Sequence, residues 1–296
     1  MTAAVCAKVR KSIRRTRPGR GRAAVRGWRS CTERGEDQMV QHPTNVVLLD
    51  LDGTLTQSDP GIIACVVKAF EGMGLPVPSH EELHRFIGPA IVESFRRNHV
   101  PESMMDKGIS IYRSYYADKA VFDDPNHPGC KVPGRLFNRV YDGIDDQLRL
   151  LRDQGYYLAI ATCKPEYQAL PICEHFHLDS QVDAVYGASS DSSRLDKDQV
   201  IRYAFDTMGF DKDRGDQALM IGDRWTDVDG AVACGLDCLG CGWGYAEPHE
   251  LERHGAYRVI DEVNDMEPAV TRYFSNRTQS QEQQRHDQQR NDQQRD

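Results

Sequence analysis

Residues 45–60 read NVVLLDLDGTLTQSDP, and the rest of the chain is organised around them. Val46 to Leu49 form an apolar run with no polar break, the pattern of a strand buried on both faces of a parallel sheet. The run ends in Asp50 and Asp52, followed by Gly53 and Thr54. Burying carboxylates is costly unless a cation or hydrogen-bond donors meet them. In open parallel sheets ligands bind just beyond the carboxyl ends of the strands, which is where these two acids fall. A capped turn alone gives no reason for two acids there.

Downstream, strand-like and helix-like segments alternate. Ile144, Leu148 and Leu151 mark a helix, residues 156–161 a strand, 166–176 a helix and 182–186 a strand. Residues 198–208 follow as a helix, 218–221 as a strand, 227–234 as a helix, and 238–241 and 257–260 as the last strands. This alternation predicts an α/β fold: a parallel sheet with helices on both faces. Between residues 61 and 120 the periodicity is helical, with Ser79 and Glu82 spaced as a capping box and Phe86-Ile87-Gly88-Pro89 as a break whose backbone can reach inward. Residues 123–138, DDPNHPGCKVPGRLFN, read as a Pro- and Gly-rich loop. The expected organisation is a basic disordered extension over 1–43, a core built from 44–60 and 143–275, a helical cap over 61–142 inserted after the first strand, and a disordered Gln/Arg/Asp-rich tail over 276–296.

The chain has 296 residues, 39% of them hydrophobic, enough for a sizeable core. Its net charge of −8 is uneven: residues 1–38 hold eleven Lys or Arg against three acids, a net of +8, which leaves −16 on the remainder. An acidic body argues against nucleic acid as a partner, and no apolar run is long enough to span a bilayer. The basic segment reads as a nucleic-acid arm, a transit peptide or an artefact of gene-start assignment, with Met39 a natural start six residues before the first strand. Nine cysteines at irregular spacing suit a reducing cytoplasm rather than a disulfide framework. Cys238 and Cys241 lack a second pair and read as core residues.

The strand ends carry the chemistry. The strand at 156–161 runs into Thr162-Cys163-Lys164-Pro165, and the one at 218–221 into Gly222-Asp223-Arg224-Trp225-Thr226-Asp227, while Lys197 opens the helix between them. Four acids together repel and take up protons. A divalent cation resolves this, and a few hard oxygen ligands suit Mg²⁺, with Asp50, Asp52, Asp223 and Asp227 as the candidates. The Thr162 hydroxyl and the backbone N–H groups of the turn at Cys163 suit phosphate oxygens, and Lys197 adds a compact positive charge. Asp50 is placed to attack phosphorus, and Asp52 to protonate the leaving oxygen and then activate water.

DLDGTLT, ATCKP, the Lys197 segment and IGDRWTD resemble the four motifs of the haloacid dehalogenase superfamily of phosphatases, over about residues 44–265. SDPGII, RFIGPAIVESF, YDGI, KPE, DKDQVIRYAF and GDRWTD are similar to its phosphoglycolate phosphatase and 5′-nucleotidase-like branch. The resemblance implies a Rossmann-like core with a helical cap. It implies Asp50 as nucleophile and Mg²⁺ ligand, and Asp52 as acid/base that also binds the metal through its backbone carbonyl. Thr162 and Lys197 would hold phosphate, Asp223 the metal, and Asp227 a supporting or additional metal carboxylate. Gly88 and Pro89 would face the site when the cap closes. The implied activity is Mg²⁺-dependent hydrolysis of a small phosphorylated metabolite. A sugar-phosphate mutase and a non-catalytic binding protein are the alternatives. Gln57, Trp225 and the 123–138 segment depart from the pattern.

Overall fold

The computed structural model describes residues 45–293 apart from 89–90 and 192, with side chains described through residue 279. The expectations for the basic segment and for Pro89 lie outside these residues. The strands of the main sheet are β1 (Asn45–Leu49), β4 (Tyr157–Pro165), β5 (Ala184–Ala188), β6 (Gln217–Gly222), β7 (Asp237–Cys241) and β8 (Arg258–Ile260). They lie in the order β5-β4-β1-β6-β7-β8, every neighbouring pair parallel. Counted along the core, this is a 3-2-1-4-5-6 sheet whose order reverses beside β1, the point at which such sheets bind ligands. The order places Asp50, Thr162 and Asp223 at the carboxyl ends of three adjacent strands.

Both faces of β1 are covered, as its unbroken apolar run requires. Val47 and Leu49 pack with Leu148, Ile172 and Val270 on one side, while Val46 and Leu48 pack with Val200, Ile201 and Val228 on the other. All four are at most 1% exposed. Cys238 and Cys241 fall into the two different core layers, so the pair cannot share a metal and fills space instead.

The helices Asp59–Met73, His80–His84, Ile91–Arg97 and Glu102–Arg113 build a second core of their own. Phe70, Phe86 and Phe95 meet edge-to-face at its centre, with ring centroids 5.8–6.2 Å apart. Ser79 and Glu82 form the expected capping box. A π-turn over Ser114–Asp118 follows the last of these helices. The loop expected over 123–138 holds a two-residue antiparallel ladder, β2 (Phe122–Asp123) with β3 (Lys131–Val132), and a short 3₁₀ turn at Gly134–Leu136.

The tail expectation is corrected. One helix runs over Met266–Gln293, so residues 276–293 are helical rather than disordered. Its first turns are anchored by Met266, Ala269, Val270, Tyr273 and Phe274, all buried. Beyond them, Gln, Arg and Glu are good helix formers that extend an anchored helix without an apolar face.

Candidate active site

The turn after β1 is shaped by Gly53, at φ +87°. A Cβ at this position would overlap the Asp223 carboxylate and press on the Tyr245 ring, so the turn closes on Asp223 only because residue 53 has no side chain. Asp223 is fully buried; it accepts hydrogen bonds from the Thr54 hydroxyl at 3.2 Å and the Tyr245 N–H at 2.7 Å. Asp227, in the first turn of the helix Trp225–Ala233, accepts from the Arg224 N–H at 3.0 Å. Carboxylate oxygens of Asp50, Asp223 and Asp227 all lie within 4.8 Å of one another.

Lys197, 3% exposed, donates to Asp50 Oδ1 at 2.6 Å and to the Ala161 carbonyl at 2.8 Å, and pairs with Asp227 Oδ1 at 2.6 Å. The Asp50 and Ala161 contacts are hydrogen bonds, and the Asp227 contact is an ion pair. The sequence reading put Lys197 on phosphate; the contacts seen here are to Asp50 and Asp227, beside the Thr162 and Cys163 turn in the same cleft. A second lysine meets the other acid. Lys164 Nζ lies 2.6 Å from Asp52 Oδ2 and donates to the Tyr116 hydroxyl at 2.6 Å. Burial opposes the charge on both ammonium groups, but the facing carboxylates outweigh it and hold each lysine above its ordinary range. The other oxygen of Asp52, Oδ1, is buried with no hydrogen-bond partner.

Burial, and then the charges of Asp227 and Asp50, push the Asp223 carboxyl well above the usual carboxylate range. Burial also raises Asp227, with Lys197 opposing and Asp50 adding, up to about 6. Without a cation Asp223 therefore keeps a proton that ordinary carboxylates have lost at neutral pH. Three oxygen donors of this kind fit a small hard cation such as Mg²⁺. The Asp52 carboxylate is turned to Lys164 instead, so of the four expected ligands it is the one whose side chain stands apart from the cluster.

Asp50, Asp52, Thr162, Cys163, Lys197 and Asp227 line one cleft with Gly88, Ile87, Arg224, Thr226 and Tyr245. Its volume is about 30 Å³, room for one or two waters. Burial pushes the Cys163 thiol up to about 12, so it stays protonated at neutral pH and is no nucleophile. The cap closes the cleft through Arg224, whose Nη1 donates to the Ile87 carbonyl at 3.0 Å while its Nε is held by Glu250 at 2.9 Å. Tyr245 bridges to the base of the cap, donating to Asp59 Oδ1 at 3.1 Å. Trp225, the bulky departure from the motif, is 42% exposed and does not line the cleft.

Sequence reasoning missed four residues here. Lys164 had a signal, since it follows Thr162 at a strand end, where a register shift in β4 between Thr162 and Pro165 re-aims the side chains. Arg224 stood beside Asp223 in the quoted GDRWTD. Tyr116 and Tyr245 had no signal: each lies in a segment whose local pattern shows nothing of the distant strand end it meets.

The chain matches the family model described as haloacid dehalogenase-like hydrolase over residues 47–241. It is 33% identical over 219 residues to a 5′-nucleotidase of Pseudomonas aeruginosa, spanning 74% of this chain and 90% of that protein. It is 34% identical over 225 residues to the tyrosine-protein kinase PtkA of Mycobacterium tuberculosis, spanning 74% of this chain and 71% of that one. The structure of a predicted phosphatase from Clostridium acetobutylicum, 34% identical, superposes with a TM-score of 0.67 and covers 77% of this chain and 99% of that chain.

Proposed function

From the premise that this chain belongs to the haloacid dehalogenase-like hydrolase family, we propose that it is a Mg²⁺-dependent phosphomonoesterase working through an aspartyl-phosphate on Asp50. The observation that carries this reading is the pair of carboxylates two residues apart, each held by its own lysine: Asp50 by Lys197 and Asp52 by Lys164, at 2.6 Å in both cases. A binding protein has no use for two separately oriented acids beside a carboxylate cluster.

Asp50, fixed by Lys197, attacks phosphorus in line with the leaving oxygen. Asp52 delivers its proton to that oxygen from the unpartnered Oδ1, and Lys164 balances the carboxylate that remains. The same carboxylate then takes a proton from the water that opens the acyl phosphate. The Thr162 hydroxyl and the backbone at Cys163, which line the cleft, hold non-bridging oxygens. Mg²⁺ bound by Asp50, Asp223 and Asp227 would supply positive charge against the phosphoryl oxygens.

Substrates are small phosphorylated metabolites, phosphoglycolate or a nucleoside 5′-monophosphate; the 5′-nucleotidase relative favours the second. The cleft is sized for one or two waters when the cap is shut. This requires the cap to open for substrate. The test is a panel of phosphate esters assayed for released phosphate with Mg²⁺ and with chelator, alongside ATP with a tyrosine peptide. Chelator-sensitive release from one substrate class supports the reading. Turnover in chelator, or phosphate transfer to the peptide without release, overturns it.

A further inference from the structure

The segment 123–138 takes no part in the cleft, yet it holds a second group of metal-ligating side chains. Asp124 and His127, three residues apart in the sequence DPNHPGC, meet His175 from the last turn of the core helix Glu166–His175. One ligand atom from each lies within 4.8 Å of the other two. The loop is built before any ion arrives. The Asp124 N–H donates to the Cys130 carbonyl and the Cys130 N–H to the His127 carbonyl, both at 3.0 Å. Asp124 Oδ1 accepts from the Asn126 N–H at 2.8 Å, which leaves Oδ2 facing His127 Nδ1 at 2.9 Å.

The Asp124 side chain is 3% exposed, and among the described residues its only ion-pair partner is His127, with no lysine or arginine in reach. A buried carboxylate with no formal cation beside it is a ready ligand for a metal ion. A neutral imidazole is a ligand with an available lone pair.

We propose that Asp124, His127 and His175 form a second divalent-metal site, of the Zn²⁺ class, that ties the cap-side loop to the core. Two imidazole nitrogens and one carboxylate select Zn²⁺ or its borderline neighbours over Mg²⁺ and Ca²⁺, which take oxygen. Three atoms within 4.8 Å of one another enclose a point no more than about 2.8 Å from each, and Zn²⁺ needs about 2.0–2.1 Å, so a contraction of at most several tenths of an ångström closes the site. The His127 side chain, 52% exposed, is free to rotate by that amount and leaves water access to a fourth position. The site shares no residue with the catalytic cleft and does not depend on the proposed reaction.

The test uses the full chain stripped with chelator, carrying Asp223→Asn to cripple the carboxylate cluster, in millimolar Mg²⁺. Zn²⁺ is titrated calorimetrically and bound metal is counted by mass spectrometry, with His127→Gln, His175→Gln and Asp124→Asn in parallel. The expected result is one Zn²⁺ per chain at micromolar or tighter affinity, weakened at least tenfold in each variant, with a rise in melting temperature that the variants lose. His127→Gln, at a half-exposed position, keeps the test valid if Asp124→Asn fails to fold. No uptake, or uptake unchanged in His127→Gln and His175→Gln, overturns the proposal.

Discussion

Lys197→Met removes the single ammonium that Asp50 and Asp227 share. The side chains of Lys197, Asp50 and Asp227 are 2%, 11% and 1% exposed, so water does not replace it. Breaking a buried ion pair from one side costs about 3–5 kcal/mol. The variant limits that loss by keeping protons on its carboxylates, which makes the cost depend on pH. In the wild-type protein Asp227 sits at about 6 when folded, against about 3.9 when unfolded. A carboxyl raised on folding favours the folded state in acid, and that advantage is lost as pH rises through the folded pKa. Two units correspond to roughly 3 kcal/mol. Without Lys197, which now lowers Asp227, the folded value climbs further and the loss continues past neutrality. Urea unfolding of metal-free protein should therefore show a wild-type-minus-variant difference of about 3 kcal/mol at pH 7.5, and a clearly smaller one near pH 5, where Asp227 holds its proton anyway. A difference that is equal at the two pH values, or below about 0.5 kcal/mol at pH 7.5, would refute the claim that Lys197 balances this pair.

Asp52→Asn should slow turnover by roughly 10²–10⁴-fold with little change in KM, read in steady-state assays on the best substrate of the panel. Mg²⁺ should raise the melting temperature more at pH 7.5 than at pH 5.5, because below the Asp227 value of about 6 the cation must displace protons from both Asp227 and Asp223; an equal gain at both would argue against this carboxylate cluster as the metal site. Arg224→Ala frees the Ile87 carbonyl and should change kcat/KM unevenly across substrates that differ in leaving group, while an equal loss on all of them would return Arg224 to a structural role. Truncation after residue 279 should leave stability within about 0.5 kcal/mol, since the apolar anchor of the last helix ends at Phe274 and the Arg277–Asp237 pair is retained.

What could be read from sequence was whatever has a local pattern. The run Val46–Leu49 declared a strand covered on both faces, and its final acids declared a site, because burial of apolar residues and the cost of buried charge are both local facts. The parallel sheet followed from alternation, and with it the meeting of Asp50, Thr162 and Asp223 at one edge. Lys197 was found, but its 2.6 Å contacts with Asp50 and Asp227 were not, because no local pattern announces which carboxylates a lysine between two strands will meet. The Tyr116–Lys164 and Arg224–Ile87 contacts join cap to core across 48 and 137 residues, and no periodicity reports such pairs. The tail was misjudged because polar composition was taken to exclude helix, when an anchored first turn lets good helix formers continue.

The central claim is that Asp50 becomes phosphorylated during turnover. Protein mixed with its best substrate and Mg²⁺ is quenched in acid, digested, and searched by mass spectrometry for a peptide carrying one added phosphoryl group. The account predicts the group on the peptide containing Asp50, absent in Asp50→Asn and accumulating in Asp52→Asn, where water is no longer activated. Turnover with no phosphorylated peptide, or with the group on another residue, would contradict it.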